Sequence, residues 1–190
     1  MIQLNKVKLF LFFILAGTIY GFSSLEYIEN TSKDDESLEA FQTILEVLRS
    51  PRCMNCHPSN DVPKVGDDRH PHLFGVVRGE DDHGGPAQMC STCHQDENNE
   101  YSMVPGAPHW GLAPISMGWE GLNDAELGAV LLDTSKNGNR TPEDLVKHMS
   151  EDALVLWAWE PGGERTPPPV PLNEFKAALQ TWLDNGAKTP

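Results

Sequence analysis

Cys53-Met54-Asn55-Cys56-His57 recurs, with only its inner pair changed, as Cys90-Ser91-Thr92-Cys93-His94. Both read C-x-x-C-H, and that spacing decides how the rest of the chain is read. Two thiols three positions apart can each form a thioether to one of a porphyrin's two vinyl groups. The histidine directly after them then falls beneath the iron as its fifth ligand. The pattern predicts covalent attachment of two c-type haems, with Cys53, Cys56 and His57 at one and Cys90, Cys93 and His94 at the other. All four cysteines of the chain are used by the two motifs, so none is left for a disulfide.

Two other chemistries use paired cysteines. Zinc ribbons put about 15–20 residues between their C-x-x-C pairs. Here residues 57–89 separate the pairs, and a zinc ribbon has no need of a histidine straight after each one. A thioredoxin-type thiol pair belongs in a βαβ setting, which the flanks do not offer.

The chain has 190 residues, enough for one domain or two small ones, and 39% of them are hydrophobic. That is modest for a packed domain, and two haems would add apolar bodies of their own. At the N-terminus, Lys6 and Lys8 precede a mostly apolar run from Leu9 to Phe22, which Ser23 and Ser24 break. Basic start, short apolar core and small polar exit predict a secretory signal over residues 1–24. The run is short for a membrane span, which takes about 20 apolar residues. No sharp A-x-A cleavage site follows, so an uncleaved N-terminal anchor stays open as the alternative. No cysteine follows the run, which excludes a lipoprotein anchor. Export to the periplasm agrees with covalent haem attachment. The formal net charge of −14 argues against nucleic acid or an anionic membrane surface as a partner.

Residues 25–36 read as a flexible acidic linker, and residues 37–190 as the dihaem domain. Ser37 is placed to cap a helix whose Leu38, Phe41, Ile44, Leu45 and Leu48 fall on one face, with Ser50-Pro51 ending it. Residues 58–89 and 95–122 are rich in proline, glycine and other turn formers. The first interval is too short and irregular for a complete cytochrome c domain, so both haems are expected in one compact unit. Trp110 and Trp119 in the second interval are expected to pack on a core or a haem edge. Asn123 starts a second helix running toward Asn137-Gly138. Thr141-Pro142-Glu143-Asp144 opens a third, continuing to about Trp159. A last helix spans 172–185, with Phe175, Ala178, Leu179 and Trp182 inward and Gly186 as its C-terminal cap. The fold expected is mainly α: a cytochrome c-like, loop-rich single domain wrapped around two covalently bound haems.

Each iron needs a sixth ligand or an open position. Histidine gives a low-potential carrier, methionine raises the potential, and an open site permits chemistry on a bound molecule. His148, in a well-capped helix, is the leading candidate. His72 is next, beside Leu73-Phe74, with His70 its near competitor. His109 is an alternative from a loop, and Met117 and Met149 are the methionine alternatives, though core packing is the commoner task of such residues. His83 among Asp81, Asp82 and Gly84 reads as solvated. Which distal ligand serves which haem does not follow from the sequence.

Further segments carry a family likeness. They are Cys53-Met54-Asn55-Cys56-His57-Pro58, Arg78-Gly79, Cys90-Ser91-Thr92-Cys93-His94-Gln95, Pro105-Gly106-Ala107-Pro108 and Trp119-Glu120-Gly121. His148-Met149, Leu154-Val155-Leu156-Trp157, Glu160-Pro161-Gly162 and a terminal Trp182…Gly186-Ala187 complete the set. From Cys53 to Ala187 the chain resembles the bacterial dihaem cytochromes of the isoquinoline 1-oxidoreductase subunit-like family. The resemblance implies a haem-binding electron-transfer subunit serving a molybdenum hydroxylase or another periplasmic dehydrogenase, with His72 and His148 where family histidines are expected. Family members often carry two more cysteines, near the positions of Gly128 and Thr189. Both are absent here, and a disulfide tying down the last helix is lost with them.

The function expected is one-electron relay between a dehydrogenase or oxidoreductase partner and a downstream acceptor, with no catalytic residue. The rival is a dihaem, peroxidase-like enzyme in which one iron keeps an open site.

Overall fold

A computed structural model of the protein describes residues 32–190. The signal or anchor expected at residues 1–24 and the first part of the linker lie outside the described residues. Among the described residues, no helix is long and apolar enough to cross a membrane. Helix predominates, strand is scarce, and the elements form one small domain.

Helix α1 covers residues 32–48. It therefore begins before Ser37, and residues 32–36, expected as linker, are already helical. Ser37 is wholly buried inside the helix. Its hydroxyl donates to the Trp182 carbonyl (3.1 Å) and accepts from the Lys188 amide (2.9 Å), joining the two ends of the domain. A serine read as a local cap is spent on a partner far along the chain. The expected apolar stripe is inward: Phe41, Ile44, Leu45 and Leu48 are buried, and Phe41 stacks on Trp182 at 5.8 Å.

After Ser50 the chain turns into a single helical turn, α2 (Pro51–Met54), with proline at its permitted first position. Cys53 lies in this turn. The Cys56 and His57 amides donate back to the carbonyls of Cys53 and Met54, so the first motif is wound as one continuous coil.

Residues 58–118 hold two minimal antiparallel ribbons. β1 (Lys64–Val65) pairs with β2 (His70–Pro71), and β3 (Gly84–Gly85) pairs with β4 (Gln88–Met89). Gly79 has φ 76°, and a Cβ there would lie 2.0 Å from the Gly84 carbonyl oxygen, so only glycine lets these loops close.

Helix α3 (Asp124–Leu132) starts as read, on a full capping box between Asn123 and Glu126. It stops well before Asn137, whose buried side chain instead holds the Leu131 and Arg140 carbonyls. Helix α4 (Pro142–Glu151) opens on the Thr141/Asp144 capping box. It does not run on to Trp159. Asp152 turns extended (ψ 126°) and caps a new short helix, α5 (Ala153–Leu156), by accepting from the Leu154 amide. A 3-10 turn at Trp157–Trp159 follows. Helix α6 (Leu172–Asp184) buries Phe175, Ala178, Leu179 and Trp182, and Gly186 follows with φ 89°.

The apolar core is built by α1, α3, α4 and α6, joined by Met54, Met117 and Trp119. Residues 55–112 place no side chain in it, so the second motif stands outside the core that the first leans on. Gly128 of α3 and Thr189 face each other: a Cβ at Gly128 would lie 2.5 Å from that of Thr189.

Candidate functional site

The first motif is deeply enclosed. Burial pushes the Cys53 thiol up to about 12 and the Cys56 thiol up to about 11. Neither is oxidised to a disulfide, nor are Cys90 and Cys93. His57 directs Nδ1 at the Met117 carbonyl oxygen, 2.8 Å away. Its ring stacks on Trp119 with centroids 3.4 Å apart and planes 12° from parallel. Held by an acceptor at one edge and an indole on one face, the imidazole keeps Nδ1–H and presents a bare Nε2. Burial drives its pKa down to about 3, and the charge of nearby His148 adds a smaller push. A neutral imidazole with a fixed tautomer is the state in which histidine binds a metal.

The second motif repeats the arrangement at the surface. His94 directs Nδ1 at the Pro105 carbonyl oxygen (2.7 Å) and stacks on Trp110 (4.6 Å, 7°). Here Cys93 is exposed and Cys90 only partly covered. Burial lowers the His94 pKa, helped by the charges of His72 and Arg165.

The second motif histidine has another histidine beside it. The His72 and His94 rings have centroids 6.2 Å apart. Their planes are 70° apart, edge toward face. His72 spends Nδ1 on the Leu73 carbonyl (2.7 Å), and His148 spends Nδ1 on Asp152 (3.2 Å). Among the described residues, Nε2 has no partner in His57, His72, His94 or His148. Burial lowers the His148 pKa too, keeping that ring neutral.

The other candidates fall elsewhere. His70 is exposed and its Nδ1 is bonded to Asp68 at 2.6 Å. His109 is exposed with φ 59°, and lines a cavity of about 370 Å³ beside His94. His83 is half-buried and lines the same cavity, so the expectation of a solvated side chain is corrected. Its Nδ1 is turned to the Asp81 carbonyl (2.6 Å). Met117 and Met149 are buried in the apolar core, and Met117 contributes its carbonyl rather than its thioether to the site.

Sequence reasoning passed over the arginines. Arg78 is buried and donates to Asp82 (2.7 Å) and to the carbonyls of Pro58, Asn60 and Ala113, tying three loops behind His57. Arg52, also buried, pairs with Asp67 and the Gly66 carbonyl. Arg78 entered the sequence reading only within the Arg78-Gly79 segment of the family likeness, and Arg52 only by its place before Cys53. A cavity of about 560 Å³ lies among Gly66, Asp67, Asp68, Met103, Glu164 and Arg165. Arg52 reaches its rim through Gly66 and Asp67.

The residues fit a pair of covalently held haems. The four motif thiols are unpaired, the motif imidazoles are neutral with Nε2 bare, and His94 has a second imidazole, His72, nearby. The buried Trp119 Nε1 and Arg52 Nε lack acceptors among the described residues. Among the described residues, no three of His, Cys, Asp and Glu are gathered as a metal cage. No protein-family model, curated protein or solved structure matches the chain.

Proposed function

We propose that this chain is a periplasmic dihaem c-type cytochrome that relays electrons one at a time between a dehydrogenase and a downstream acceptor. The haem iron supplies the one-electron couple. The chain's own residues anchor it, orient its ligands and set its surroundings. Cys53 and Cys56 hold one haem and Cys90 and Cys93 the other, with His57 and His94 as proximal ligands. His148 serves the iron of His57, and His72 that of His94. The donor is a molybdenum hydroxylase or another periplasmic dehydrogenase, on the family likeness of the motif segments.

The observation that supports this reading most is the doubled arrangement itself. At each C-x-x-C-H the histidine gives Nδ1 to a backbone carbonyl, Met117 or Pro105, and stacks on a tryptophan, Trp119 or Trp110, and at the second motif His72 stands close by. With two imidazoles per iron, no position is open for peroxide, and this favours a carrier over an enzyme.

The test is a visible spectrum of the reduced protein, made in a host that matures c-type cytochromes, before and after carbon monoxide. Two c-type haems that ignore the gas are the expected result. A shifted spectrum would place an open iron in the protein and make catalysis the better reading. Absence of haem bands would overturn the assignment.

A further inference from the structure

The two motifs differ in surroundings as well as in burial. Arg49, Arg52, Arg69 and Arg78 all lie on the segments flanking the first motif, whose cysteines are partly or wholly covered. Between Arg78 and Lys136 the chain has no lysine or arginine at all, and this stretch contains the whole second motif. Glu80, Asp81, Asp96, Glu97 and Glu100 flank it there, all exposed. Against this acidic ground stands an apolar group: Leu73 is 63% exposed, Phe74 83% and Val77 46%, all close in sequence to His72. The Phe74 carbonyl is bonded by Gln88, beside Met89 of β4, so this loop is pinned next to the second motif. Phe74 also has φ 68°, a left-handed conformation that penalises a side chain. An aromatic ring is held outward at a backbone cost, with no packing gained inside the chain.

We propose that this face, Phe74 and its apolar neighbours within the acidic rim of the second motif, docks a basic redox protein. The inference rests on the electron-carrier reading and names the partner's surface chemistry. Charge selects the occupant. A second copy of this chain would bring the same acids and a net charge of −14 against themselves. Nucleic acid and anionic lipid are repelled likewise. A protein with lysines or arginines around an apolar centre complements both parts of the face. Docking there brings it to the less buried of the two motifs, where Cys93 reaches the surface.

The experiment uses the haem-loaded chain and, as probe, a lysine-rich monohaem cytochrome c. Haems are counted first in alkaline pyridine. Fewer than two haems overturns the carrier reading, whereas the docking inference is judged by binding on the fully loaded protein. At low ionic strength, backbone amide shifts caused by the probe are expected to cluster at residues 73–77, 80–82 and 93–100. The triple reversal Glu80→Lys, Asp96→Lys, Glu97→Lys is expected to weaken binding about tenfold or more at low salt, and less as salt rises. Reversing three exposed acids of α1 and α6, Glu39→Lys, Glu46→Lys and Glu174→Lys, should change it less than about twofold. Phe74→Gly, which relieves the left-handed strain, should weaken binding without altering its salt dependence. Shifts centred on the helices, equal effects of the two triple reversals, or no binding at low salt would each overturn the inference.

Discussion

Two carbonyl oxygens, those of Met117 and Pro105, do for His57 and His94 what no side chain in the sequence advertises. They fix the tautomer and aim Nε2. The motif histidines were legible as candidates because their spacing after the cysteine pairs is distinctive. The backbone acceptors were not, since a carbonyl leaves no trace in residue type. The proposed distal ligands fall between these cases. His72 and His148 could be favoured from local context, but that His72 lies beside His94 needed the folded chain. On the proposed pairing, His72→Ala leaves one iron five-coordinate. The reduced variant should take up about one equivalent of carbon monoxide, where the parent takes none. His148→Ala should do the same at the other iron, and the double variant should bind two. Uptake by neither single variant would show that the sixth ligands lie elsewhere.

At the scale of elements, starts were more legible than stops. Capping boxes at Asn123/Glu126 and Thr141/Asp144 lie within one turn, so residue type alone reveals them. The end of α4 depends on Asp152 choosing to cap α5, and the extra turns of α1 depend on Ser37 reaching Trp182 and Lys188. Such choices are tertiary. The loops behind His57 are held the same way, by Arg78. Arg78→Ala strips buried carbonyls and Asp82 of their donor and should cost about 3–5 kcal/mol, read as a lowered thermal midpoint. Arg78→Lys should recover less than half of that loss, because one ammonium cannot span the donors of a guanidinium fork. Asp67 joins the Gly66–Arg69 turn to Thr166. Hydrogen bonds from Thr166, and then the charge of Arg52, hold its carboxyl below the usual range. A depressed folded value means that its contribution is present above the unfolded pKa of about 3.9 and is lost as pH falls below it. Asp67→Asn should therefore flatten the stability profile below about pH 4, measured by thermal melts across the acid range.

Over the whole molecule, the helices make one core, and the first motif borrows it while the second does not. On the dihaem reading, burial and neighbouring arginines would both disfavour the positively charged ferric state, so an iron held by His57 should have the higher potential. A redox titration should resolve two one-electron steps. His72→Met should raise the lower one and leave the upper in place, and movement of the upper alone would refute the ordering. The facing of Gly128 and Thr189 invites a second measurement. Cysteines at both positions should form a disulfide in an oxidising compartment and stabilise the protein by about 1–4 kcal/mol, read as the melting difference between oxidised and reduced forms. The mainly helical class was legible from periodicity. The unequal standing of the motifs was not, because it depends on which loops the core recruits.

That residues 55–112 contribute no side chain to the core bears on how the protein comes into being. Those 58 of the 190 residues have no apolar interior of their own to collapse upon. On the dihaem reading its loops would gain one when the prosthetic groups arrive, so that maturation and folding would be a single event for this region. A copy left with one group missing would stay open on that side, where proteases would meet it. Cofactor loading would then act as a checkpoint, and what survives would be, for the most part, what was completed.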